Sequence, residues 1–240
     1  QTAQVGTPES WGVTCANPRH EAIEALRWAR SLVAFGAARP EEIAIAATDP
    51  AEWDNYFQAI AADASLDVHF VHGRPVTSFS DGQACAALAE VLLNGLSQDR
   101  MRRLVPLLQK EGNSLRELPG DWTRDLPGDA PLLSLERWQL AFEDKTDWCC
   151  GQDLRLILMP VLELLSEGPD KAKDIGEQLL RGRALAIWRK ALREGPASAL
   201  DVTLQSLKTE DGLDPDASVA WMRTDDLASV PRPSLRLIRL

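Results

Sequence analysis

Cysteine is scarce in this chain and falls in no pattern. Cys15, Cys85, Cys149 and Cys150 match neither the ligand spacing of a zinc site nor the disulfide framework of a small secreted domain. They read instead as buried thiols kept reduced in a cytoplasm. Long apolar runs are missing too. None approaches the roughly 20 residues of a membrane-spanning helix, and no signal-peptide pattern occurs. A cytoplasmic protein with no membrane role is the expectation. Positive charge is in short supply, with 26 Lys and Arg against 36 Asp and Glu, a net charge of −10. That balance argues against a protein that coats nucleic acid over its whole surface, and leaves room for a local basic groove.

Catalytic signatures are also lacking. There is no GxxxxGK[ST] phosphate loop and no GxGxxG after the first expected strand. His20-Glu21 lacks the second histidine of HExxH, and no GxSxG elbow is present. Glu143-Asp144-Lys145 superficially suggests a metal-nuclease site. It lacks the strand context and reads as a solvated helix end. No complete catalytic site and no metal site are legible.

What is present is an α/β pattern. The 240 residues suffice for one large domain, or one domain carrying an insertion. Ile43 to Ala47 is a short apolar run with Pro40 before it and Asp49-Pro50 after it, the signature of a buried strand. Trp11 to Ala16 is expected as a first strand, with Val13 and Cys15 on one face. Asn17-Pro18 then opens a helix with the stripe Ala22, Leu26, Ala29, Val33, stopped near Gly36. A parallel strand–helix–strand unit with a right-handed crossover follows from that order. Pro50 to Ser65 is the next helix, with Trp53, Phe57 and Ile60 on one side. Asp67 to His72 is a third strand, and Gly73-Arg74-Pro75 turns the chain out of it. His69 and His72, three positions apart, point to opposite faces and read as structural rather than as joint metal ligands.

From Ser80 onward the pattern is helical. Helices are expected over Asp81–Leu96, Gln98–Lys110 (capped by Ser97, with Pro106 kinking or splitting it), Ser134–Phe142 and Gln152–Leu165, interrupted at Pro160. One long helix is expected from Asp170 to Arg193, then Ser198–Leu207 and a short one over Ser218–Leu227. LPGD occurs twice, at Leu118–Asp121 and Leu126–Asp129, and marks Pro-Gly turns. Glu210 to Asp216 is an acidic loop. Ser234 to Leu240 alternates like a strand, and the abrupt ends suggest a domain cut from a longer protein. The expected organisation is an α/β portion over residues 1–80, a helical subdomain over 81–230 and a returning strand over 231–240.

Two basic clusters stand out against the acidic background. Arg100, Arg102 and Arg103 gather at one helix start. Arg181, Arg183, Arg189, Lys190 and Arg193 lie in a stretch with no acid from Leu179 through Arg193. Such a stretch suits a phosphate backbone. It also suits a solvated face that pairs with acidic neighbours and complements a helix C-terminus. Trp122, Trp138, Trp148, Trp188 and Trp221 are candidates for stacking on bases, although Trp188 sits beside the stripe Leu180, Ala184, Ile187, Ala191 and suits a core.

Residues 11 to 95 and the last strand resemble a known arrangement. His20-Glu21-Ala22 to Val33, Arg39-Pro40-Glu41-Glu42-Ile43-Ala44-Ile45, a helix, Val68-His69-Phe70 and Gly73-Arg74-Pro75-Val76 look like the second RecA-like domain of superfamily 1 helicases. The match is closest to AddB-type subunits of bacterial helicase-nucleases. Ser234 to Leu240 is similar to the strand that re-enters their sheet after a helical insertion. The resemblance implies a small parallel RecA-like sheet of P-loop type with a large all-helical insertion. It implies a role in double-strand-break repair and recombination, with DNA and a partner helicase-nuclease subunit as partners. ATP and Mg are implied only for the parent protein, as is exonuclease activity of the PD-(D/E)XK type. The arginine such helicases carry after the central strand is replaced by Ala47-Thr48-Asp49. No catalytic residue carries over, in keeping with a scaffolding and DNA-contact role. The alternatives are a protein-interaction module with no nucleic-acid role, and a small-molecule enzyme with a pocket near Thr48, Asp49 or His72.

Overall fold

Asn17 opens the first helix through its own side chain. Its Oδ1 accepts from the His20 amide at 2.9 Å, and Pro18 takes the first helical position of α1 (Pro18–Ala34). In this computed structural model, which describes residues 12–109, 114–128, 130–143, 145, 148 and 153–238, α1 leads into strand β1 (Ile43–Ala47), buried at every position. A 3-10 turn over Pro50–Glu52 precedes α2 (Asp54–Ala64), and β2 (Val68–Phe70) follows. The chain then leaves through β3 (Arg74–Pro75) and comes back after β4 (Lys208–Thr209) to form β5 (Val219–Arg223) and β6 (Ser234–Leu237).

The main sheet is parallel throughout, in the order β2-β5-β1-β6. Ala44 lies between Ala220 of β5 and Leu235 of β6, and Ile45 between Trp221 and Arg236. The terminal segment therefore shares the sheet with Ile43 and Ile45, as its alternation predicts. One face carries Ile43, Ile45, Val68, Phe70 and Trp221 against Leu26 and Phe57 of the two helices. The other face is built from small residues, Ala44, Ala46 and Ala220, with Met222. There Leu227 and Val230, from the segment just after β5, pack close to the sheet.

Two expected elements are corrected. Gly12 to Ala16 is not a strand, and Trp11 lies outside the described residues. Both ladder edges of β1 are taken by β5 and β6, and Val13 is half exposed, so no buried face awaits that segment. The expected pairing of a first strand with β1 is absent with it. Ser218 to Leu227 is not a helix: Val219–Arg223 is the strand β5, and Thr224–Ala228 is a 3-10 turn. Val219 to Met222 are buried in succession, and a strand covered on both faces reads as an unbroken apolar run. The sheet thus gains its second central strand from a stretch whose residues suit either structure.

Contact density divides the chain into an α/β unit, up to Arg74 and from Glu210, and a helical unit, Pro75–Thr209. The excursion expected over residues 81–230 corresponds to this unit. The ends of the helical unit meet: the Val76 amide donates to the Leu207 carbonyl at 3.0 Å. Its helices are α3 (Ser80–Asn94), α4 (Gln98–Gln109), α5 (Leu135–Glu143), α6 (Leu154–Ser166), α7 (Ala172–Leu179), α8 (Gly182–Glu194) and α9 (Leu200–Ser206). Pro106 and Pro160 lie inside α4 and α6 without ending them. The long helix expected from Asp170 to Arg193 is broken. Leu180 is extended and Gly182 takes φ +50°, a left-handed value that suits glycine. The expected ends at Lys110, Asp129, Gln152, Arg239 and Leu240 lie outside the described residues. No helix among the described residues is long and apolar enough to cross a membrane.

Candidate nucleic-acid interface

The break between α7 and α8 shapes the stronger basic cluster. α8 buries Ala184, Ile187, Trp188 and Ala191. Helical spacing sends Arg183, Arg189, Lys190 and Arg193 outward on one side, all exposed, along about 15 Å of axis from first to last. Seven cations and two acids lie between Lys171 and Arg193, in a chain that is acidic as a whole.

These cations are not equivalent. Arg181 turns back over the end of α7 and donates to the carbonyls of Glu177 (2.9 Å) and Leu180 (2.7 Å). A guanidinium is well placed there, since helix C-terminal carbonyls lack intrahelical donors. Arg189 donates twice to the Glu177 carboxylate, at 2.7 and 2.5 Å. The Glu177 carboxylate and the Arg189 guanidinium each hold their charge more firmly through that hydrogen bonding. Lys190 lies 3.8 Å from Glu194 and reaches the Lys208 carbonyl at 3.4 Å. Arg183 lies over the ring of Phe79, 4.5 Å from its centroid. Arg183, Lys190 and Arg193 complete the exposed row of this face.

The cluster on α4 is largely occupied by structure. Arg100 donates to the carbonyls of Asn94 (2.7 Å) and Gly95 (2.9 Å) at the end of α3, and lies 3.6 Å from Glu90. Arg103 pairs with Glu90 at 2.6 Å. Nε of Arg102 is buried without a partner. Ser97 caps α4, its Oγ accepting from the Arg100 amide at 3.2 Å. Here a helix C-terminus and one glutamate absorb the charge that looked available in the sequence.

The tryptophans are corrected as base-stacking candidates. Trp122, Trp138, Trp188 and Trp221 are core residues, exposed by 2% or less. The Trp188 indole N–H donates to the Ala172 carbonyl at 2.8 Å. Trp148 is partly buried beside Phe142, with Lys145 and Arg155 over its ring at 5.3 and 6.0 Å. The aromatic that does meet the basic face is Phe79. It precedes α8 by about a hundred residues in sequence, and no local pattern marks it.

The carboxyl ends of the sheet strands offer no comparable constellation. The Asp49 carboxylate accepts from the Ala51 amide at 3.2 Å. Nε2 of His72 lies 2.9 Å from Oδ1 of Asp54, which also accepts from the Trp221 indole at 2.8 Å. His72 and Asp54 are each about 7% exposed at the side chain, so the pair is shut off from solvent. His69 faces Asp211 at 3.0 Å. The strand expected over Asp67–His72 is shortened to Val68–Phe70, so His72 lies in the turn after it, and each histidine meets a carboxylate that the sequence concealed. Cys85 is buried, its thiol donating to the Ala184 carbonyl at 3.2 Å; Cys15 is partly buried, and Cys149 and Cys150 lie outside the described residues. No group of three or more His, Cys, Asp or Glu able to hold a metal occurs among the described residues. Glu143 ends α5, Asp144 lies outside the described residues, and Lys145 pairs with Asp125 at 2.9 Å. No protein-family model and no curated protein matches the chain.

Proposed function

We propose that this chain is the helicase-like, catalytically incomplete part of a DNA double-strand-break repair helicase-nuclease, where it serves as scaffold and DNA contact. ATP, Mg and nuclease chemistry belong to other parts of the parent, and a helicase-nuclease subunit is its partner. The reading is supported by the route of the chain, which leaves a parallel sheet after β2, builds a helical unit, and returns for β5 and β6. The one observation that carries DNA contact is the exposed row Arg183, Lys190 and Arg193 on α8.

Phosphate contacts release counterions, so affinity falls with salt in proportion to their number. Charge reversal at Arg183, Lys190 and Arg193 is expected to weaken DNA binding. It should also reduce the slope of log affinity against log salt by about 0.9 per lost duplex contact. Anisotropy titrations over a salt series measure both quantities. Unchanged affinity and slope in the triple variant would end this reading. The interaction-module reading draws on a different surface: Leu140 and Leu156 are 60% and 78% exposed, and Leu140 lines an open depression of about 480 Å³ with Phe142 and Met159. It predicts no DNA affinity at any salt.

A further inference from the structure

Point charges are drawn to single strands and duplexes alike. The basic face of α8 also holds a group of another kind. Phe79, just before α3, is partly buried, and the Arg183 guanidinium lies over its ring at 4.5 Å. That is inside the roughly 6 Å within which a cation is drawn to an aromatic face. The Cys85 thiol of α3 donates to the carbonyl of Ala184, the residue after Arg183, at 3.2 Å. Lys190 and Arg193 follow Arg183 along the helix, roughly 10 and 15 Å further on.

Resting on the DNA-contact reading of this face, we propose that Phe79 and Arg183 form a stacking platform for an unpaired base, so that the α8 face takes single-stranded DNA, with Lys190 and Arg193 on its backbone. Aromatic rings and guanidinium planes both stack bases, and every base offers a π-face. In a duplex those faces are covered by neighbouring pairs, so the platform adds nothing there. The preference for single strands then comes from Phe79 and the attraction to phosphate from the cations.

The test uses the full chain, a labelled oligothymidylate and a blunt duplex of matched length. Phe79→Leu keeps an apolar side chain beneath Arg183 and removes the ring. It is expected to weaken the single strand about tenfold, leaving the duplex and the salt slope unchanged, while Phe79→Tyr binds like the wild type. Arg183→Lys keeps the charge without the planar group and is expected to act in the same direction; it decides the matter should Phe79→Leu fail to fold. No loss in either variant, or equal losses on both nucleic acids, overturns the platform while the salt dependence still supports a phosphate face. If neither single strand nor duplex binds to the wild type, the functional reading itself has failed.

Discussion

Asp211 shows how a single carboxylate ties down the returning chain. Burial alone pushes its carboxyl up. The Phe70 amide at 2.7 Å, the His69 ring and the Leu213 amide outweigh that and hold it below the usual aspartate range. A depressed folded value means that the charged form stabilises the fold. That contribution is complete above the unfolded value of about 3.9 and is lost as pH falls through the folded one. Asp211→Ala is expected to cost about 1.5–3 kcal/mol at neutral pH, from the loss of charge-assisted hydrogen bonds. The gap to the wild type should close as pH drops below about 4. Urea unfolding across that range measures it, and a gap that stays constant in acid would refute the role. His69 lies in β2 and His72 in the turn after it, and their partners Asp211 and Asp54 stand 142 and 18 positions away. No local rule links residues so placed.

At the scale of elements, β5 is the instructive case. Ser218 to Leu227 holds Ala, Met and Leu, which favour helices, beside Val and Trp, which favour strands. Its place between β2 and β1 settles the choice, because ladder hydrogen bonds on both sides and burial on both faces outweigh propensity. The converse holds at Gly12 to Ala16, where alternation alone suggested a strand beside β1 but both edges of β1 are taken by β5 and β6. β1 and β5 pair on both sides, whereas β2 and β6 each pair on one, and Leu235 and Leu237 of β6 are 42% and 40% exposed. Amide exchange should therefore be slowest in Ala44–Ala46 and Ala220–Met222, and faster in β6. Exchange as slow in Leu235–Leu237 as in Ile45 would contradict this sheet order. In α8 the exposed and buried rows follow the helical period closely, so the basic face was legible even though its helix proved shorter than expected.

For the whole molecule, the connectivity makes the helical unit an excursion from the sheet. The Val76 amide bonded to the Leu207 carbonyl brings its two ends together. A short Gly-Ser linker replacing residues 76–207 should therefore leave an α/β unit that folds, since α1, α2 and the four main strands have their own core around Ile45, Phe57 and Trp221. Circular dichroism and cooperative thermal unfolding of that deletion variant provide the check. A molten or insoluble product would show that the sheet depends on the excised helices.

Local pattern was enough for the α/β class, for α1 with its Asn17 cap, for β1 and β6, and for the charged row of α8. Each of these is governed by near neighbours: a period, a capping side chain, a run of apolar residues between breakers. Tertiary contact alone decided that β5 is a strand, that Arg100 and Arg103 serve the end of α3 and Glu90, that four of the five tryptophans considered lie in cores, and that Phe79 meets Arg183. Those outcomes depend on which distant segments compete for the same ladder edge, carboxylate or cavity. That competition is resolved only when the chain closes on itself.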